Sequence, residues 1–195
     1  MIKNLALALG IFICVFFVQK VTAAEADASE EWLWDALRSK NHFALIRHAL
    51  APGTGDPPEF TLGHRETQRN LSEEGRKQAK HIGALFRAHG IKNAHIFSSQ
   101  WYRCQETAEL LGMGTVTPLP ALNSFFEKYD QKDERTESLK RWLSQQKIDK
   151  PLILVTHQVN ITALTGAYPS SGEIVVVEKD AQAGLNILGS IATDE

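Results

Sequence analysis

A chain of 195 residues with 43% hydrophobic and 23% charged residues has the composition of an ordinary globular protein, long enough to bury a core without staples. A formal net charge of −2 with no basic run excludes the electrostatic footprint of a nucleic-acid binder. Two cysteines are too few for a disulfide framework.

The first residues read differently from the rest. Lys3 supplies a positive start, Leu5 to Val18 is an uncharged apolar run, and "QKVTAAEA" offers small-residue cleavage patterns at Val21-Thr22-Ala23 and Ala24-Glu25-Ala26. Residues 1–23 are therefore expected to be a secretory signal peptide. Fourteen apolar residues fall short of the roughly 20 that a membrane-spanning helix needs. Cleavage after Ala23 removes Lys3 and Lys20 and no acidic residue, which leaves 19 basic against 23 acidic residues and a net charge of −4. Cys14 leaves with the signal and Cys104 is left without a partner. Residues 24–195 are expected to form one domain, periplasmic or secreted, with no stable membrane span after cleavage and no nucleic-acid partner.

In chain order, "EEWLWDALRS" predicts a short amphipathic helix with Trp32, Leu33 and Leu37 on its buried stripe. "HFALIRH" predicts a strand covered on both faces, since it is too uniformly apolar to be half exposed. Residues 51–70 carry three Gly and three Pro with little periodicity, a long loop of the kind that forms lids or specificity elements. Ser72 predicts the cap of a helix with Glu73 and Glu74 in its first turn, an apolar stripe of Ala79, Ile82, Leu85 and Phe86, and Gly90 as its stop. "NAHIFSS" predicts a second strand, with Ser98 or Ser99 capping a helix lined by Trp101, Cys104, Ala108 and Leu111. "TVTPLPAL" suggests a short edge strand, "ERTESLKRWLSQQ" a surface helix packing through Leu139, Trp142 and Leu143, and "PLILVTH" another covered strand. The tail predicts a hairpin of "EIVVVEK" and "LNILGSI". The alternation of strands and helices predicts an α/β fold with three layers, α/β/α, and a mostly parallel sheet carrying an antiparallel hairpin at one edge.

In such sheets ligands bind beyond the carboxyl ends of the strands. The first strand exits at Arg47-His48, the second through Ser98-Ser99 into a helix whose early turn holds Arg103, and the late one at Thr156-His157. Two guanidiniums, two imidazoles and a helix start then share one rim. Forked arginine donors and free helical N–H groups suit the oxygens of a phosphoryl group better than a metal ion.

The same segments carry a family resemblance. "LIRHA" resembles the signature of the histidine phosphatase superfamily, which includes the cofactor-dependent phosphoglycerate mutases. "LSEEGRKQA" resembles the segment that opens that family's first long helix, "IFSSQWYRCQETAEL" its Ser-Ser…Arg…Thr-Ala block, and "LVTHQ" its second-histidine motif. In order and spacing these cover most of residues 43–158.

The resemblance implies a phosphoglycerate mutase-like fold and a phosphatase that needs no metal or other cofactor. Its nucleophile would be His48, its phosphate clamp Arg47 and Arg103, and its second pocket histidine His157. The family also supplies a carboxylic acid, often in a Leu-x-Glu pattern. Here Ser124 stands at that place, with Glu127 the nearest carboxylate and Asp130 the next, so the acid is Glu127, Asp130 or neither. Arg69 is placed to reach the phosphate or the rest of the substrate. Asp56, His64 and Arg65 are weaker candidates for the same reach and read first as exposed loop residues, and Trp101 and Trp142 read as core aromatics.

The implied substrate is a small phosphorylated molecule, such as a phosphosugar or an envelope component. The chain's size and leader are similar to those of exported phosphatases acting on lipopolysaccharide-core heptose phosphates. The alternatives are a phosphomutase, a phospho-ligand-binding protein that has lost catalysis, and a metal-binding module built on His48 and His157. The oligomeric state is not legible in the sequence.

Overall fold

The covered strand sets the architecture. In β1 (His42–Arg47) the side chains alternate, so Ala44 and Ile46 enter one core cluster while Phe43 and Leu45 enter another on the opposite face. Both faces are therefore roofed, which is why the run is apolar throughout. This computed structural model describes residues 23–182 and 184–193. The predicted signal peptide, except for its last residue, lies outside the described residues.

Six strands make one sheet in the order β3-β2-β4-β1-β5-β6, with β2 (His95–Ser98), β3 (Val116–Pro118), β4 (Leu152–Thr156), β5 (Ile174–Lys179) and β6 (Leu185–Ile191). The β3, β2, β4 and β1 strands run parallel, and β5 and β6 add the antiparallel edge hairpin. On one face, α1 (Ala23–Arg38), α2 (Glu73–Ala88) and α3 (Tyr102–Leu110) bury Trp34, Ile82, Phe86, Cys104 and Ala108 against Ile96, Ile153 and Val155. On the other, α4 (Lys132–Gln145) and α5 (Gln158–Thr165) bury Leu139, Leu143 and Ile161 against Leu152, Leu154 and Val177. This is the three-layer α/β/α arrangement expected from the sequence. Among the described residues no helix is long and apolar enough to cross a membrane.

Local signals account for most boundaries. Ser72 Oγ accepts the Gly75 N–H at 3.0 Å and caps α2, and Gly90, at φ +81°, follows its end. Gly75 lets α2 lie directly on the strand exit, since a Cβ there would stand 2.0 Å from the Leu50 carbonyl oxygen.

Three expectations change. Trp32 is 52% exposed, and its neighbour Trp34 is the one buried, edge-on to Phe86. Neither Ser98 nor Ser99 caps α3; the N-cap position is Trp101, and the first helical N–H, that of Tyr102, is taken by Gln68 Oε1 at 3.0 Å. The helix α5, stopped by Gly166 at φ +80°, was not expected. Its sequence "QVNITALT" mixes β-branched residues with others and lacks a clear apolar stripe, so burial rather than propensity makes it helical.

Candidate active site

Because β2, β4 and β1 are adjacent and parallel, their carboxyl ends open on one side. The backbone ladder continues past the strands: His48 N–H donates to Thr156 O at 2.9 Å and Ser99 N–H to Val155 O at 2.9 Å. This fixes His48 beside His157, with their rings edge to face at 5.5 Å between centroids. Above them is a cavity of about 300 Å³. Arg47, His48, Arg69, Arg103, Glu127 and His157, the six candidate residues from the sequence, all line it. Asp130, the alternative acid, is exposed and is not among the lining residues. His64 and Arg65 also stay outside, in contact with Glu66 and Glu106 respectively.

Each candidate has a definable state. His48 is buried, and its Nδ1 lies 2.9 Å from the Ala49 carbonyl oxygen. A carbonyl can only accept, so Nδ1 carries the proton and the neutral ring has its lone pair on Nε2. Burial, followed by the Arg103 charge, pushes the His48 pKa down to about 3, and the contact with Ala49 only partly opposes this. Burial and then the Arg103 charge likewise hold His157 well below the usual imidazole range. His157 Nε2 is 2.9 Å from Ser99 Oγ and 3.5 Å from the buried Cys104 Sγ.

Arg47 donates from Nη1 to Pro169 O at 3.0 Å, while its Nε is buried without a hydrogen-bond partner. Arg103 is also buried, and its Nε has no partner either. Two inward cations thus keep a donor unmatched by protein, an arrangement that structures avoid unless something else accepts. Arg69 is committed to the loop, donating to Gly55 O at 2.8 Å and to Ala51 O, and burial pushes it down to about 10. Glu127 is exposed, with Oε1 accepting the Asp56 N–H at 2.9 Å.

Two residues overturn expectation. Asp56 is a buried carboxylate with 7% of its side chain exposed, paired to Arg103 by Nη1–Oδ1 at 2.7 Å and Nη2–Oδ2 at 3.0 Å. Trp101 is a cavity wall rather than a core aromatic: it donates Nε1–H to Asp56 Oδ2 at 3.0 Å and stacks on Phe60 at 5.0 Å. Trp142 does pack in the core, against Phe97. Phe126 and Tyr168, both exposed at the cavity mouth, had no signal in the sequence. The long loop is pinned at Asp56, Phe60 and Arg69.

The three-layer fold with these two roofed faces is similar to that of solved phosphohistidine phosphatases. Residues 43–125 match the model of the histidine phosphatase superfamily (branch 1). His157 lies beyond the matched segment, and the sheet brings it to the site. A 74-residue stretch is 34% identical to the mitochondrial serine/threonine-protein phosphatase Pgam5 of Drosophila virilis; it spans 38% of this chain and 23% of that protein. The fold is similar to that of the protein histidine phosphatase SixA solved with tungstate (TM-score 0.56, 13% identity, 78% of this chain and 97% of that one). It is also similar to that of a mycobacterial glucosyl-3-phosphoglycerate phosphatase (TM-score 0.53, 16% identity, 76% and 97%).

Proposed function

We propose that this protein is an exported phosphatase that hydrolyses a phosphomonoester through a phosphohistidine on His48. The observation that carries the proposal is one juxtaposition: an imidazole with its lone pair on Nε2 lines the same cavity as two guanidiniums, Arg103 buried and Arg47 partly so, whose buried Nε–H groups lack a protein acceptor. The phosphatases among the structurally similar proteins support the same chemistry.

The steps follow from these residues. Nε2 of His48 attacks phosphorus in line, the bond from phosphorus to the leaving oxygen breaks, and Arg47 and Arg103 offset the charge on the three remaining oxygens. Glu127 gives the leaving oxygen its proton, as the one carboxylate in the cavity not held by an arginine. Water then attacks phosphorus and gives a proton to the Glu127 carboxylate, the P–N bond breaks with its electron pair returning to Nε2, and phosphate leaves. His157, neutral and hydrogen-bonded to Ser99, serves as a further donor to the same oxygens. The chain's own side chains supply the cations, so the mechanism invokes no metal.

The substrate proposed is a small phosphorylated molecule, a phosphosugar or an envelope-associated phosphate, met in the periplasm after removal of the leader. The aromatic mouth at Phe126 and Tyr168 would suit the face of a sugar ring. The test is incubation with a phosphomonoester, alkaline quench and detection of acid-labile, base-stable phosphohistidine, with His48→Ala as blank. Turnover with label on His48 supports the proposal. Binding of phosphate without label or turnover would make the chain a phospho-ligand-binding protein instead. Recovery of the protein from a periplasmic fraction, with an N-terminus at residue 24 or 27 by mass spectrometry, tests export.

A further inference from the structure

The Asp56 carboxylate can be understood in two ways. It could occupy Arg103 as an internal anion that substrate must displace, or it could hold the guanidinium in a working orientation. We propose the second: Asp56 is a positioning residue that takes the end-on fork of Arg103 so that the Nε edge is presented to the phosphoryl group. This inference rests on the cavity being a phosphoryl site.

A guanidinium has five N–H donors in one plane. In Arg103, Nη1 donates to Asp56 Oδ1 at 2.7 Å and to Arg69 O at 3.3 Å, and Nη2 donates to Asp56 Oδ2 at 3.0 Å. That consumes three donors and leaves the Nε–H, together with the second Nη2 hydrogen on the same edge. Nε is buried with no hydrogen-bond partner. Two parallel donors on one edge match two oxygens of a phosphoryl group. Asp56 and the phosphoryl group therefore use different edges of the same cation and do not compete for donors.

The displacement account meets a physical obstacle. Asp56 is held by more than Arg103: Oδ1 also accepts the Arg69 N–H at 3.1 Å, and Oδ2 also accepts Trp101 Nε1–H at 3.0 Å. Moving it would strip four hydrogen bonds at a carboxylate that is 7% exposed and, even with the substrate on Arg103, leave the Arg69 N–H and the indole N–H unpaired, which is costly in a buried site. Burial alone would raise the Asp56 pKa, yet the bonds to Arg103, Arg69 and Trp101 more than reverse this, so the group stays ionised. The same carboxylate also fixes the loop, whose Phe60 stacks on Trp101 and whose Asp56 N–H meets Glu127.

The experiment compares wild type with Asp56→Asn and Trp101→Phe in the purified protein. It reads kcat and KM on p-nitrophenyl phosphate and calorimetric Kd for inorganic phosphate and for orthovanadate, which mimics the transferring phosphoryl group. Misplacing a clamp residue of this kind lowers rate by up to about 10²-fold. For Asp56→Asn the expected result is a fall in kcat of about 10- to 100-fold and vanadate binding weaker by a similar factor, with phosphate Kd changed by less than about threefold. A merely structural role would lower the folded fraction without separating vanadate from phosphate, and that outcome overturns the proposal. So does an unchanged or raised kcat, which is the signature of a displaceable anion. If Asp56→Asn does not fold, Trp101→Phe, which removes one of the four bonds, must lower kcat several-fold; no change overturns the proposal. Wild type that binds both anions but turns nothing over refutes the phosphatase function alone, and the vanadate-to-phosphate ratio still reports on Asp56.

Discussion

Acid should unfold this protein through the histidines of its own cavity. His48 has a pKa of about 3 in the fold against 6.5 in an ordinary peptide, a gap of about three and a half pH units. Each pH unit is worth about 1.36 kcal/mol, so the full gap corresponds to about 5 kcal/mol, comparable to the whole stability of a marginal domain. The sign follows from which state holds the proton. Above pH 6.5 both states are neutral at this site and the stability is fully present. As pH falls from 6.5 toward 3, the unfolded chain takes a proton that the folded one refuses, and stability is lost. His157, depressed for the same reasons, loses stability in the same direction. Urea unfolding of wild type, His48→Gln and His157→Gln at several pH values between 7.5 and 4.5 measures this. Below pH 6, wild type should lose about 1.4 kcal/mol more per pH unit than either variant. Parallel curves for all three proteins would show that the rings are not held neutral by burial. The same electrostatics keep the Nε2 lone pair of His48 available across the neutral range.

Glu127→Gln should lower hydrolysis of alkyl phosphates about 10²–10⁴-fold while sparing p-nitrophenyl phosphate, whose leaving group needs no proton; equal rates on both would remove its acid role. Gly75→Ala forces a Cβ to within 2.0 Å of the Leu50 oxygen, two residues after His48. It should cost about 1–3 kcal/mol by thermal unfolding and lower kcat, and a neutral effect would mean that α2 moves freely off the strand exit. Cys104, whose thiol burial pushes up to about 12, should resist iodoacetamide in the folded protein at pH 8 and react once denaturant is added. A mass shift on the Cys104 peptide from native protein would contradict its burial.

How legible each residue was depended on what holds it. Arg47, His48 and His157 sit where an apolar run stops, and a strand covered on both faces has to release its first polar side chains at the strand end. Periodicity and topology therefore placed them without any knowledge of the cavity. Arg103 could be placed the same way, in the first turn of a helix that follows a strand. The details of that helix start were not legible, because Gln68, from a loop 34 residues earlier, supplies the cap expected of Ser98 or Ser99. In α1 the choice between Trp32 and Trp34 depends on helix rotation, which the sheet surface decides and an amphipathic pattern with two tryptophans two residues apart leaves open.

Asp56 was only a weak candidate, and its burial against Arg103 was illegible for a stronger reason. Its sequence surroundings, "GTGDPPEF", carry only turn signals, and those favour exposure. Its burial arises from partners 13, 45 and 47 residues away, on Arg69, Trp101 and Arg103. No local period encodes such a contact. It exists only once β2 and α3 have formed and the loop can close on them. The cavity is thus made at two levels. Strand exits deliver the imidazoles and Arg47 by backbone geometry, and the loop then sets the orientation of the Arg103 guanidinium and the shape of the wall. Changes within residues 51–70 should therefore act on rate and selectivity through Arg103 and Trp101, while leaving the lone pair of His48, held by the backbone of Ala49, where it is.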